Sequence, residues 1–388
     1  MPDIVVVGGG IAGVTCAVEL AGRGVRVTLL ERDEIAAGAS GRNQGWFVPS
    51  SDPPCAPMSA VSLDRYRELI ESSSMPVRFD PDPVGHLLFT RDERAAAQAE
   101  QLARAWAASG VPARSMDAAE LRAEEPALSE GFAAAWLLEQ GYRIDPAALT
   151  VAHALRARAS GVEIRSHISV RALTTVNGRV TGVVTDEGVL AAEAVVLAAG
   201  PWSAPLVRPL GIDLPVTGSR GWIVELAGRA GLLHHLLEEV GVGAGHGEAF
   251  PTAGGFLAGG HRPPSVAALL HEAEDGTVVC GASHHAALRG EPDDEDAPRR
   301  ILERSIAVVP ALADATIRGI RWGVRPMSPD DRPLVGWLRD GLFAATGHGA
   351  EGILFAGGSA VLAASLLTGG EPPFDPAPFD PLRFPGIA

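Results

Sequence analysis

The chain has 388 residues, enough for two packed cores, and its 46% hydrophobic content is that of an ordinary soluble protein. A formal net charge of -15 argues against nucleic acid or an anionic membrane as the main partner, since both need a basic face, but it leaves room for an anionic small molecule held by a local arginine. All 32 Lys and Arg positions are arginine, so no mechanism that needs a lysine is available.

Residues 4–7 form a continuous apolar run, the pattern of a central parallel strand buried on both faces. Gly8-Gly9-Gly10-Ile11-Ala12-Gly13 follows, then apolar residues at helical spacing to about Gly22. A second apolar run, 25–30, ends at Glu31. Strand, glycines, helix, strand and acid in this order are the fingerprint of a dinucleotide-binding βαβ unit. Gly8 permits the tight turn out of the strand, Gly10 lets a pyrophosphate approach the backbone, and Gly13 lets the helix pack close to the sheet. The helix amino terminus offers unpaired N–H groups to phosphate. Glu31 can accept from ribose hydroxyls, and Glu31 followed by Arg32 suits an unphosphorylated ribose, hence FAD or NAD rather than NADP.

The segment 37–46 (Ala-Gly-Ala-Ser-Gly-Arg-Asn-Gln-Gly-Trp) is small, polar and flexible. Read by itself, it fits either a loop wrapping phosphate, ribityl chain and flavin or a plain surface loop. Residues 94–107, rich in alanine and glutamine, predict a helix. Segments 162–170, 171–175 and 179–185 predict strands, and Asn177-Gly178 between the last two is a hairpin signal. Residues 194–199 predict a buried strand ending in Gly200, where backbone can pass close to a ligand. Strands are expected at 220–226 and 277–282, and a helix at 299–308 with the acidic run 293–296 at its start. Residues 347–352 are small and open the apolar helix 353–367, and the tail 372–385 is proline-rich.

Cys16, Cys55 and Cys280 form neither a disulfide framework nor a metal site. His234-His235 and His284-His285 lack supporting ligand spacing, so no metal is expected. The Gly-x-Ser-x-Gly elbow of a serine hydrolase is absent. The first strand starts too early for a signal peptide, and 353–367 is shorter than a membrane span. The expectation is a reduced, cytoplasmic protein without a transmembrane segment; a homo-oligomer is left open.

On these motifs the chain resembles the D-amino-acid oxidase superfamily of FAD-dependent oxidoreductases, especially its glycine oxidase and sarcosine oxidase-like branches. Three further stretches carry the resemblance: 195–203, Gly323-Val324-Arg325-Pro326 followed by Asp330, Pro333 and Gly336, and 347–353. It implies an α/β (α+β) fold with a discontinuous Rossmann-type FAD-binding domain (1–75, 145–215, 325–388). A mixed or antiparallel-sheet substrate domain (76–144, 216–324) is inserted into it. FAD would be bound non-covalently, because the covalent-flavin cysteine of the sarcosine oxidase-like branch has no match around Arg325.

By the resemblance, Gly8, Gly10, Ile11, Ala12, Gly13, Glu31 and Arg32 hold the cofactor, with Ala39, Ser40, Arg42, Asn43, Gln44 and Gly45 from the polar segment. Val170 would meet the adenine through backbone atoms. Ala199, Gly200 and Trp202 would return to the FAD, and Gly347, Gly349, Gly352, Ile353 and Leu354 would close over it.

The implied chemistry is oxidation of an amine, an amino acid or N-alkyl amino acid, to the imine by hydride transfer to flavin N5. The protein's task is then orientation rather than strong base catalysis. Arg325 matches the substrate-carboxylate clamp, and the planar guanidinium suits it; the bland alternative is a salt bridge to Asp330 or Asp331. His348 borders the flavin, and Trp46 and Trp222 are candidate pocket walls. Glu351 stands where some relatives place a second carboxylate-binding group; an acid there would repel an anion and could bind a cationic amine. The oxygen-activating lysine of sarcosine oxidase-like enzymes has no counterpart, so electrons pass to oxygen by another group or to another acceptor. The alternatives are a dehydrogenase feeding a quinone or partner subunit, and a non-catalytic FAD-binding subunit. An enzyme tailoring a natural product is a variant of the main reading.

Overall fold

The strand Ile4–Val7 is buried along its whole length and pairs in parallel with Ala194–Leu197 on one side and Val27–Leu30 on the other. Its apolar run is what a strand covered on both faces requires. Around it, in a computed structural model, six strands lie in the order Leu334–Arg339, Leu342–Thr346, Ala194–Leu197, Ile4–Val7, Val27–Leu30, Glu163–Arg165. The structure describes residues 3–72, 77, 79, 80, 82–228, 230–240, 265–286 and 294–384. One face of this sheet carries the helices Ile11–Gly22, Ala56–Ser72, Pro146–Ala159 and Gly352–Thr368. The other face carries a three-stranded antiparallel meander, Val170–Val176, Arg179–Thr185 and Gly188–Ala191. Asn177 and Gly178 both have positive φ (51° and 82°), as a two-residue type I′ hairpin turn demands.

The helix Gly352–Thr368 is the spine of this unit. Gly357 and Gly358 lie against Ser62 and the Met58 carbonyl of Ala56–Ser72, where a Cβ would collide. With the short turn ahead of it the helical run covers 20 residues, Gly349–Thr368, long enough to cross a bilayer. This corrects the expectation of a stretch too short to span. What marks it as a core helix is packing, since all of 353–365 is buried by protein.

The second sheet has eight strands in the order Thr316–Met327, Thr217–Ala227, Thr277–Ala286, Ser265–Glu272, Leu236–Glu239, His86–Thr90, Ala134–Leu138, Ala113–Met116. It is mixed, with Leu236–Glu239 parallel to His86–Thr90 and its other pairings antiparallel. One face is closed by the helix Ala297–Val308 over Val224, Leu226, Leu237, Leu270 and Cys280. The other face looks toward the first sheet. The strand Thr316–Met327 runs across position 325, where the sequence reading divides the two domains, and keeps Arg325 paired in the second sheet opposite Ser219. The expected acidic run and proline-rich tail each extend past the described residues, at 293 and 385.

Candidate active site

Between the two sheets lies one cavity of about 980 Å³, at the upper end of the roughly 300–1,000 Å³ found for ligand pockets. One end is walled by backbone. Gly8 has φ +116°, and a Cβ there would collide with the Ala198 carbonyl. Gly10 begins the helix Ile11–Gly22 and faces the cavity; an added Cβ would stand 2.9 Å from Ser40 Oγ. Ile11 and Ala12 also line this end. Gly13 does not. It packs against the Gly8 carbonyl and Ala198, holding the helix to the sheet.

Glu31 lines the cavity, with its carboxylate accepting from Gly9 N (2.6 Å) and Asp33 N (2.8 Å), so it shapes the glycine turn as well as facing the ligand space. Arg32 lies beside it, its guanidinium 3.8 Å from the centroid of the Trp202 ring. Val170, Ala199, Gly200 and Trp202 complete this wall.

The polar segment expected to be a loop contains one helical turn, Ala39–Arg42. Its turn is built by side chains. Asn43 donates to Ala39 O and Ser40 O and accepts from Gly45 N at 2.9 Å. Ser40 Oγ accepts from Ile11 N at 2.9 Å, pinning the segment over the helix amino terminus. Gln44 donates to Leu269 O (2.6 Å), and Arg42 reaches the Trp322 carbonyl (3.4 Å), so the segment also touches the second sheet. Ala39, Ser40, Arg42, Asn43, Gln44 and Gly45 all line the cavity. Gly349, Gly352, Ile353 and Leu354 close it from the last helix; Gly347, with its φ of +73° against Leu334, lies outside. The side-chain-free approach at Gly8 and Gly10, beside a helix amino terminus, fits the diphosphate of FAD.

The other end is walled by side chains. Arg325 lines it, with Nη1 donating to Ser283 O at 3.0 Å. Gly221 leaves the space its guanidinium fills. Burial pushes the Arg325 pKa down to about 10, so it remains a cation at neutral pH. The salt-bridge alternative does not hold for Asp330, which is bound to Arg383 at 2.8 Å. Among the described residues no carboxylate lies within ion-pair distance of Arg325.

Glu351 lines the cavity, and burial, reinforced by Asp331, Asp52 and Glu238, raises its pKa to about 8. His348 is buried with Nε2 3.0 Å from Ser359 Oγ, and burial lowers its pKa to about 4, so its ring is neutral. Trp46 also lines the cavity, donating from Nε1 to His271 Nδ1 at 2.8 Å.

Trp222 is a correction. It shares its strand face with Val224 and Leu226, packing into the core under the helix Ala297–Val308. Gly221 and Ile223, on the alternate positions, face the cavity instead. Trp322, paired directly across from Trp222, shares that face with ring centroids 6.2 Å apart, and it meets the polar segment through its carbonyl, which accepts from Arg42. Sequence reasoning also missed His86, Trp106, Glu238 and His284, all of which line the cavity. His284, set aside as a metal candidate, stands near Arg325, and burial followed by that cation holds its pKa well below the usual histidine range. Among the described residues no group of side chains has metal-site geometry.

A family model described as FAD dependent oxidoreductase matches residues 3–366. The chain is 30% identical over 388 residues to the glycine oxidase of Pseudomonas aeruginosa, covering 97% of this chain and 98% of that protein. It is 29% identical over 390 residues to the glycine oxidase of Pseudomonas putida, covering 98% of each. Its fold matches the crystal structure of glycine oxidase from Geobacillus kaustophilus with a TM-score of 0.85 and 25% identity over 99% of both chains. The chain belongs to the D-amino-acid-oxidase-type family of FAD-dependent oxidoreductases, as an FAD-dependent amine oxidoreductase.

Proposed function

We propose that the enzyme oxidises the amine of an amino acid or N-alkyl amino acid, with the substrate carboxylate held by Arg325. The observation that carries this reading is a half-buried, desolvated guanidinium, bonded to one backbone carbonyl and to no carboxylate of the described chain, facing the cavity that also has the glycine cradle. A buried charge calls for a counter-charge. A planar carboxylate on the free edge of the fork supplies one, with hydrogen bonds worth roughly 1.5–3 kcal/mol each.

Bound FAD supplies the two-electron acceptor that turns the carbon–nitrogen single bond of the amine into an imine. The chain's own residues bind and orient. Arg325 fixes the carboxylate, Gly221 leaves room for its fork, and His348, neutral at working pH, places no positive charge against the reacting amine. A cytoplasmic location belongs to this reading and is supported by the three cysteines, free and buried. With no lysine in the chain, the acceptor is oxygen reached without one, or a quinone or protein; peroxide release measured against dye reduction distinguishes these.

The test is anaerobic mixing of the holoenzyme with amino acids and N-methyl amino acids of both hands. The expected result is loss of the oxidised flavin absorbance with at least one of them. If dithionite bleaches the flavin while every member of the panel and its amine counterparts fail, the reading is wrong.

A further inference from the structure

The substrate end of the cavity has a floor that runs across the second sheet. Its lining residues come from consecutive strands: Arg325, Gly221, Ala282, Leu269, Glu238 and His86. Small residues in the middle leave a groove, and the two charged ends are far apart. Four strand spacings separate the strand of Arg325 from that of Glu238, but the guanidinium reaches over Gly221 to Ser283 O on Thr277–Ala286, which leaves two spacings, roughly 10 Å, to the strand of Glu238.

The far end is a box. Trp46 and His86 have ring centroids 5.5 Å apart, and His86 and Trp106 5.9 Å. Both indole N–H groups are used elsewhere, Trp46 on His271 Nδ1 and Trp106 on Pro49 O (2.6 Å), so ring carbons are what these two present to the cavity. His86 is 2% exposed; its Nδ1 has no hydrogen-bond partner, and its Nε2 stands 2.9 Å from Glu238 Oε2 without hydrogen-bond alignment. Neighbouring carboxylates already have arginines, Asp52 with Arg332 (2.7 Å) and Asp330 with Arg383 (2.8 Å). Glu238, 12% exposed, has no arginine among the described residues. Crowding of acids is what helps keep a proton on Glu351 nearby. An under-compensated carboxylate walled by two indoles is the chemistry that takes up an organic cation.

We propose that the substrate is an elongated dibasic amino acid, with its carboxylate on Arg325 and a second cationic group, alkylammonium or guanidinium, in the box of Glu238, His86, Trp46 and Trp106. This rests on reading the cavity as the site of a carboxylate-bearing amine. The α-amino group cannot fill the box, because it stands only two bonds from the carboxylate carbon and the box lies strands away.

Two measurements on the holoenzyme test it. The first follows the anaerobic rate of flavin reduction against concentration, and so the apparent affinity, for lysine, ornithine and arginine of both hands and for norleucine and norvaline. A preference of tenfold or more in apparent affinity for a dibasic member is expected, falling below threefold in Glu238→Gln. Equal affinity for norleucine and lysine in the wild type overturns the proposal, as does a preference that Glu238→Gln leaves intact. The second reads binding without turnover, as the rise in Tm caused by 4-aminobutanoate, 5-aminopentanoate and 6-aminohexanoate against butanoate, pentanoate and hexanoate. Tighter binding of an ω-amino acid with no reduction by any amino acid would sink the amine-oxidation reading and keep the cation box. Equal binding of the paired acids would sink the box alone.

Discussion

The two ends of the cavity are built by different means. The cofactor end is largely backbone, from a glycine turn within one βαβ unit, with Ser40 and Glu31 tying its neighbours in place. The substrate end is side chains delivered by strands that lie far apart in the chain, from His86 to Arg325. A backbone site tolerates no added atoms but little depends on which side chains surround it. A side-chain site tolerates drift in the backbone but is set by single residues. The first kind of site defines a cofactor for a family, and the second defines the substrate of one member.

Substitution at Gly10 tests the backbone end most severely. An added Cβ meets only the movable Ser40 hydroxyl, so the fold survives, yet the side chain fills the approach to the diphosphate. Gly10→Val is expected to purify folded and colourless, with FAD affinity down at least 100-fold by fluorescence titration, whereas a yellow variant would refute the cradle. At the opposite end, Arg325→Ala should keep its flavin and lose roughly 10²- to 10⁴-fold in kcat/KM, the worth of two charge-assisted hydrogen bonds. Loss of flavin in that variant instead would mean the two ends are not separable.

Smaller effects sharpen the contrast. Glu351, raised from 4.5 to about 8 by burial and by the neighbouring acids, holds a proton in the folded chain where the unfolded chain has released it. Folding is therefore favoured at the acid side of this window, and this contribution is lost as pH rises from about 4.5 to about 8. Glu351→Gln should flatten that slope, read as the difference between wild-type and variant Tm across pH. His348 has the opposite sign. Its folded pKa is lowered from 6.5 to about 4, so its contribution is present above pH 6.5 and lost as pH falls toward 4. The smallest effect is expected at Trp222, whose buried Nε1 has no partner. Trp222→Phe should leave KM unchanged and stability unchanged or slightly higher, while Trp46→Phe strands His271 Nδ1 and should cost about 1–3 kcal/mol in denaturant unfolding.

The same contrast explains what the sequence discloses. The run 4–13, the acid at 31 and the hairpin at Asn177-Gly178 are local patterns whose physics is contained in a few residues, and the structure forms each of them. Arg325 is legible only through a resemblance, because nothing in its own neighbours says which way it points. Trp222 and Trp322 look alike in sequence. Strand register pairs them on one face, opposite the cavity-lining Gly221 and Gly323, and that register is set between strands some hundred positions apart. His86, Trp106 and Glu238 carry no motif; their closeness exists only after the second sheet has formed. The helical turn in 39–42 was hidden by glycine and serine, whose weak helix propensity is offset here by the Asn43 side chain donating to two carbonyls of the turn.

The most direct measurement of the role of Arg325 pairs an amino acid that reduces the flavin with the amine left after removing its carboxylate, in wild type and in Arg325→Ala, under anaerobic conditions. Carboxylate capture by Arg325 requires at least 100-fold faster reduction by the amino acid in the wild type and a difference within tenfold in the variant. Equal rates for the two compounds in the wild type would contradict it, since Arg325 would then hold no part of the substrate.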